Sequence, residues 1–427
     1  MIQILSIIFV TIITDLYFFP IDVATGVNTK MIIAVFGLLV LMVKLAQKVI
    51  YLEKDYITLS LSALAVSLCG VLSMWYNDTS DTAYATYIVS MWVWLGGAYF
   101  VVNLIKFVHG KDTVLLLCNY LIAICVLQSV LALSIDMNPA VKTFVDSIYP
   151  DGTYYAKHER LYGIGAALDV AGSRFSAALI MITCIGLTYG NKLRKTWLAL
   201  YVLSFLIIAV IGNMVARTTT IGVILSLAYL LFVTFRRGGT DESVSKKILW
   251  KWMIVIILLV IPVIVHYYKS NPIINDNMRF AFEGFFSLVE KGKWEVHSND
   301  MLQNMYVFPD NTKTWIIGDG YFANPGATDQ YYTGRMRTEY YMGTDVGYLR
   351  FIFYFGALGL IAFISFFGKA TRLCMKRLKE NKYMFVLFLI LNLVVWFKVA
   401  TDIFVVFAPF LCLSALKDED GQELVKQ

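Results

Sequence analysis

Three stretches of the chain set guanidinium groups beside residues that donate hydrogen bonds or move protons. The first is Asn213-Met-Val-Ala-Arg-Thr-Thr-Thr-Ile-Gly222, where Arg217 occupies a very short turn between two apolar runs. An arginine near hydrocarbon costs several kcal/mol unless it is paired or faces water. It is therefore either a snorkelling residue that anchors a hairpin or a guanidinium presented to a phosphate, whose oxygens its planar fork grips two at a time. The adjacent threonines add hydroxyl donors. The second stretch, His158-Glu-Arg-Leu-Tyr-Gly-Ile-Gly-Ala-Ala-Leu-Asp-Val-Ala-Gly-Ser-Arg174, holds Arg160 and Arg174 among Gly163, Gly165 and Gly172. Such glycines serve tight backbone packing or a binding loop. The third, Gly334-Arg-Met-Arg-Thr-Glu-Tyr-Tyr-Met-Gly-Thr-Asp-Val-Gly-Tyr-Leu-Arg350, contributes Arg335, Arg337 and Arg350. Asp345 stands where a carboxylate caps the helix that follows. Arg350, more than a turn deeper, needs an anionic partner or ligand.

The elements that must position these groups are membrane helices. The chain is 59% hydrophobic and 15% charged, against about 25% charge in soluble domains. A spanning helix needs about 20 predominantly apolar residues, and about twelve runs qualify. They cover Ile2 to Pro20, Met31 to Ile50, Tyr56 to Trp75, Tyr84 to Phe107, Thr113 to Ile135 and Phe175 to Tyr189. The others cover Thr196 to Met214, Thr218 to Phe235, Trp250 to Tyr268, Val346 to Phe367, Tyr383 to Phe397 and Ala400 to Leu416. The first lacks the basic start and small-residue cleavage site of a signal peptide and reads as a retained helix. Alternate short loops collect Lys and Arg, which predicts cytoplasmic termini. The opposite face then receives two large loops, Asp136 to Gly172 and Lys269 to Thr344. The expected fold is an all-α polytopic membrane protein, one integral membrane domain over 1–427, with those loops outside the cytoplasm.

Several function classes drop out. The net charge of +6 follows the topological bias, so no nucleic acid is an expected partner. All six cysteines fall outside the two large loops, and no disulfide framework is expected. Four scattered histidines make no metal site, and no nucleotide or zinc fingerprint is present; neither a metal nor a cofactor is expected. The absence of duplicated halves argues against a carrier. Within the later loop, Arg279 to Trp294 reads as an amphipathic helix along the interface. Trp315, Tyr321, Tyr331, Tyr332, Tyr340 and Tyr341 offer stacking faces for sugar rings or simply pack. Lys398 and Asp402, one helical turn apart in the final hairpin, are expected to pair.

The order of motifs resembles a known family. Arg160-Leu-Tyr-Gly before a helix, Ala216-Arg-Thr-Thr-Thr-Ile-Gly222 opening another, Trp315-Ile-Ile-Gly-Asp-Gly-Tyr321 and Asp345-Val-Gly-Tyr-Leu-Arg-Phe-Ile-Phe-Tyr-Phe-Gly-Ala-Leu-Gly359 look like the O-antigen polymerase and ligase superfamily. The likeness runs from Asp136 to Phe367. The chain departs from the family at His297-Ser-Asn-Asp-Met301, where members often carry Ser-Arg. The resemblance implies a GT-C-like, inverting glycosyltransferase without a nucleotide sugar, acting at the extracytoplasmic face of a bacterial inner membrane. Its donor would be a glycan on undecaprenyl pyrophosphate, and membrane lipids, a flippase and a chain-length regulator would be partners. On that chemistry Arg160, Arg174, Arg217, Arg335, Arg337 and Arg350 would hold the pyrophosphate leaving group. The base taking the acceptor hydroxyl's proton would be one of His158, Glu159, Asp169, His297, Glu339 and Asp345.

Within this resemblance a polymerase of lipid-linked repeat units is favoured over a ligase to lipid A core, because the late loop lacks a ligase-like Arg/His arrangement. A flippase for lipid-linked oligosaccharide is the competing class. It would carry charges along a central route open to the cytoplasm, whereas here nearly every conspicuous charge lies on the outer side.

Overall fold

Every apolar run of the sequence contains a helix in the computed structural model, which describes residues 2–49, 51, 53–149, 160–235, 240–325 and 340–413. Helix accounts for 77% of the structure, and one antiparallel strand pair, β1 Asp22–Ala24 with β2 Val27–Asn28, completes the regular elements among the described residues. The protein is therefore all-α. In chain order the first helices are α1 Ile2–Phe18, α2 Thr29–Ala46, α3 Lys54–Asn77, α4 Tyr87–His109, α5 Val114–Met137, α6 Pro139–Ile148 and α7 Leu168–Tyr189. There follow α8 Lys195–Val215, α9 Thr219–Phe235, α10 Thr240–Ser270, α11 Pro272–Ala281, α12 Glu283–Lys291, α13 His297–Gln303 and α14 Thr312–Ile316. The last are α15 Gly347–Arg377, α16 Lys382–Val395 and α17 Phe404–Cys412. Among the described residues seven helices (α2, α3, α4, α5, α7, α8 and α15) are long and apolar enough to cross a membrane.

The chain divides into two compact units. The first comprises Met1–Ile32, Val101–Glu295 and Leu378–Leu391; the second comprises Ile33–Phe100, Val296–Arg377 and Asn392–Gln427.

In the first unit α7 is the axis, with 94% of its most apolar window buried. It packs against α5, α8 and α9. Small residues make this possible: a Cβ at Gly222 on α9 would stand 2.3 Å from the Cα of Ser176 on α7. Helices that bury little side chain between them rely on such backbone proximity. The Ser176 hydroxyl seals the contact by donating to the Thr218 carbonyl at 3.0 Å and accepting the Gly222 N–H at 3.2 Å.

In the second unit α15 packs against α3, α14 and α17 around an aromatic core that includes Tyr84, Phe351, Phe363 and Trp396. This helix is broken at Phe355 and Gly356; Gly356 has φ +66° and lies 2.2 Å, measured from a notional Cβ, from the Ile316 carbonyl. The break frees carbonyls that hydrocarbon cannot satisfy. The Asp319 N–H donates to the Phe353 carbonyl at 2.6 Å and the Gly320 N–H to the Tyr354 carbonyl at 3.1 Å. Thus the Gly-Asp-Gly segment exists to cap an interrupted helix.

Four sequence expectations change. The helix expected from Phe175 begins at Leu168, because Gly172, which read as a loop residue, leaves the space that Ala216 and Thr218 of the α8–α9 turn occupy. The single amphipathic helix over Arg279 to Trp294 is two helices, α11 and α12, bent at Phe282 (φ −116°, ψ 28°); the bend turns Phe280 and Glu283 toward the same arginine. Residues 396–403 are not helical, so Lys398 and Asp402 are not one helical turn apart. Asp402 Oδ1 accepts the Phe404 N–H at 2.7 Å and starts α17. Finally, Asp345 lies two residues ahead of α15 and its carboxylate meets Arg350.

Candidate functional site

The Arg217 turn is built by hydroxyl capping. Helix α8 ends at Val215, and three successive short backbone bonds, Thr219 N–H to Ala216, Thr220 N–H to Arg217 and Ile221 N–H to Thr218, each 3.0 Å, carry the chain straight into α9. The Thr219 hydroxyl returns to the Gly212 carbonyl at 3.0 Å, and that of Thr220 to Asn213 Oδ1 at 2.6 Å. The Thr218 hydroxyl donates to Asp169 Oδ1 in the first turn of α7. The three threonines are thus committed to shaping the turn, and Arg217 alone projects from it.

Arg217 is 16% exposed and engages the segment from Phe280 to Glu283. Its Nε donates to the Phe280 carbonyl at 3.0 Å, its Nη2 lies 2.6 Å from Glu283 Oε2, and its Cζ sits 4.1 Å from the Phe280 ring centroid. Arg160 approaches the same ring, at 4.7 Å. A cation over an aromatic face gains about 0.5–2 kcal/mol, which offsets part of the repulsion between the two guanidinium groups. Burial lowers the pKa of Arg217, Glu283 opposes that shift, and the nearby Arg160 charge adds to it. Two cations therefore share one ring, and Glu283 lies on one of them, Arg217.

The segment carrying Arg160 is held from both ends. The Tyr162 hydroxyl donates to Asp146 Oδ1 at 2.5 Å, and Asp146 also pairs with Lys142 at 2.8 Å, tying the segment to α6. Behind it, Gln128 on α5 bonds both backbone groups of Ile164 and the carboxylate of Asp15 on α1. Arg174 is 5% exposed on α7, its guanidinium 5.7 and 5.4 Å from the rings of Phe18 and Phe19.

The second unit holds its own arginine site. Arg350, 9% exposed, meets Asp345 Oδ1 at 3.3 Å, donates to the Phe322 carbonyl at 3.0 Å and lies 3.7 Å from the Phe322 ring and 4.8 Å from that of Tyr340. The expected anionic partner of Arg350 is thus Asp345. Nearby, Lys313 Nζ is bound by Asp319 Oδ1 at 2.5 Å, Asn77 Oδ1 at 2.7 Å and the Gly318 carbonyl at 3.2 Å. His297 opens α13 with an exposed side chain.

Of the expected site residues, Arg160, Arg217 and Asp169 come together in the first unit; Arg174 belongs to the same unit but is packed on phenylalanines. Arg350, Asp345 and His297 belong to the second. His158, Glu159, Arg335, Arg337 and Glu339 lie outside the described residues. Of the aromatics, Tyr321 and Tyr341 stack on each other at 5.2 Å and are buried, so they pack the fold. Trp315 stacks on Phe308 and donates to the Pro309 carbonyl, while Tyr331 and Tyr332 lie outside the described residues. Sequence reading missed Phe280, Glu283, Asp15 and Gln128. Asp15 carried a signal, a lone carboxylate in an apolar helix; Glu283 carried none beyond its place in an amphipathic stretch. Among the described residues no cluster of His, Cys, Asp and Glu suits a metal ion. The chain matches no protein-family model, no curated protein and no solved structure.

Proposed function

We propose that this protein is a polymerase of undecaprenyl-pyrophosphate-linked oligosaccharide repeat units, a GT-C-like membrane protein of about twelve spans with its termini in the cytoplasm. It transfers the growing glycan to the next repeat unit at the extracytoplasmic face. The observation that carries this reading is the pair Arg160 and Arg217 on one Phe280 ring. Two guanidinium groups held close together on one ring suit a diphosphate, which needs more than one cation and is oriented by forked contacts.

The chemistry is a displacement with inversion. The acceptor sugar's hydroxyl oxygen attacks the anomeric carbon of the donor glycan, and the bond from that carbon to the pyrophosphate oxygen breaks. The electron pair leaves on undecaprenyl pyrophosphate, where Arg160 and Arg217 stabilise the growing charge. The hydroxyl proton passes to a carboxylate or imidazole. Asp169 is the candidate base in the same unit, one hydrogen bond from the residue that follows Arg217.

Deleting the gene and sizing lipid-linked and surface glycans by gel tests the proposal. Loss of long chains, with single repeats still attached, is the expected result. Accumulation of long lipid-linked chains would make the protein a ligase, and repeat units trapped on the cytoplasmic face would make it a flippase.

A further inference from the structure

The two-arginine cluster contains its own anion. Glu283 Oε2 lies 2.6 Å from Arg217 Nη2, and its side chain is 33% exposed. Arg160, on the same ring, has no ion-pair or hydrogen-bond partner among the described residues. Among the described residues the carboxylate placed on this pair of cations is thus Glu283, and it lies on Arg217.

We infer that Glu283 is a specificity-determining residue of the proposed pyrophosphate site, admitting a dianionic diphosphate diester and rejecting the monoanionic phosphodiesters of the surrounding bilayer. The inference rests on the reading of Arg160 and Arg217 given above. A phosphodiester carries the same single charge as the carboxylate it must displace from Arg217. Because Glu283 is tethered beside the guanidinium, it competes at high effective concentration, and the exchange brings the phosphodiester little gain. A diphosphate diester carries two charges. It replaces Glu283 on Arg217 and supplies Arg160 with a partner in the same event. Specificity is a difference of affinities, and a resident competitor is one way to create it. The device has a purpose here because Phe285, Val289 and Trp294 expose 58%, 86% and 53% of their surface on and just after α12. Such residues seat a helix at the acyl boundary, where headgroup phosphodiesters far outnumber the substrate.

The test is calorimetric titration of the full chain, purified in a sugar detergent, with dimethyl pyrophosphate as the dianion and dimethyl phosphate as the monoanion. The wild-type protein should prefer the dianion by at least about tenfold, the factor that 1.4 kcal/mol represents. Glu283→Gln keeps the side chain's shape and removes its charge; it should raise dimethyl phosphate affinity about tenfold and shrink the preference accordingly. Glu283→Ala is the second variant, removing the carboxylate with no demand on hydrogen-bond geometry, and it should do the same. An unchanged preference in both variants, or weaker monoanion binding, overturns the role of Glu283 while leaving the anion site standing. If dimethyl pyrophosphate does not bind the wild-type chain, or binds equally after Arg160→Gln and Arg217→Gln, the pyrophosphate site itself fails and this inference falls with it.

Discussion

Gln128 holds the backbone of Ile164 in both directions: its Nε2 donates to the Ile164 carbonyl at 3.0 Å and its Oε1 accepts the Ile164 N–H at 3.0 Å. The same nitrogen faces both Asp15 oxygens, at 3.0 and 2.8 Å. A carboxamide is the side-chain group that can give and take at once across a peptide while also serving a carboxylate. Through this clasp α1 and α5 fix the irregular stretch that carries Arg160.

Gln128→Leu should therefore destabilise the protein by about 2–4 kcal/mol, since it strands the Asp15 carboxylate and both Ile164 backbone groups. Gln128→Glu should be no better, because it loses the donor and sets a second negative charge beside Asp15. Thermal unfolding in detergent measures both, and an unchanged melting temperature in Gln128→Leu would remove the clasp from the account.

Arg217→Lys should damage polymerisation nearly as much as Arg217→Ala, with protein level unaffected in both. An ammonium keeps the charge but cannot bond the Phe280 carbonyl and Glu283 while lying flat on the Phe280 ring. Glycan length on gels is the readout. Normal polymer from Arg217→Ala would leave the residue a structural anchor of the hairpin.

The contact between α7 and α9 should tolerate no side chain at position 222. Gly222→Ala sets a methyl group 2.3 Å from Ser176 Cα and 2.7 Å from its Cβ, and forcing the helices apart should cost about 1–3 kcal/mol or more. Gly368→Ala is the control, since its methyl meets nothing within 4 Å. It should be neutral or stabilising by about 0.5–1 kcal/mol, because glycine is a poor helix residue. Melting temperatures that fall equally in the two variants would contradict the close approach.

The bond from Tyr162 to Asp146 should weaken in acid. Burial pushes the Asp146 carboxyl up, but the hydrogen bonds from Lys142 and Tyr162 together outweigh it and leave the group below its ordinary range. A carboxylate lowered in the folded state stabilises above its unfolded value and loses that contribution as pH falls through the folded one. Stability should thus drop below about pH 4, near the unperturbed aspartate value. With Lys142 38% exposed, solvent screening limits the effect to roughly 0.2–1 kcal/mol. Unfolding curves at pH 7 and pH 3.5 should differ less in Asp146→Asn than in the wild type; an equal difference would show that other groups carry the acid sensitivity.

What the sequence determined by itself is what depends on local composition. Each apolar run contains a helix, and among the described residues seven of these helices are long and apolar enough to cross a membrane, because a chain in hydrocarbon must satisfy its backbone within each segment. Arg217 was legible as the residue of a tight turn for the same reason, and Arg350 as an arginine in need of an anion. Only the tertiary structure decided which groups meet. Arg160 and Arg217 share Phe280, and Glu283 reaches Arg217, because α11 and α12 bend at Phe282; no periodicity announces that bend. The break in α15 reads as continuous helix in the sequence, since a Phe-Gly pair is a weak interruption until the Asp319 and Gly320 amides arrive to take its carbonyls. Gly172 read as loop and proved to be helix, for small residues carry two opposite meanings, a free backbone or a close neighbour. Whether a neighbour is present is a property of distant segments, and that is why only the folded chain could say.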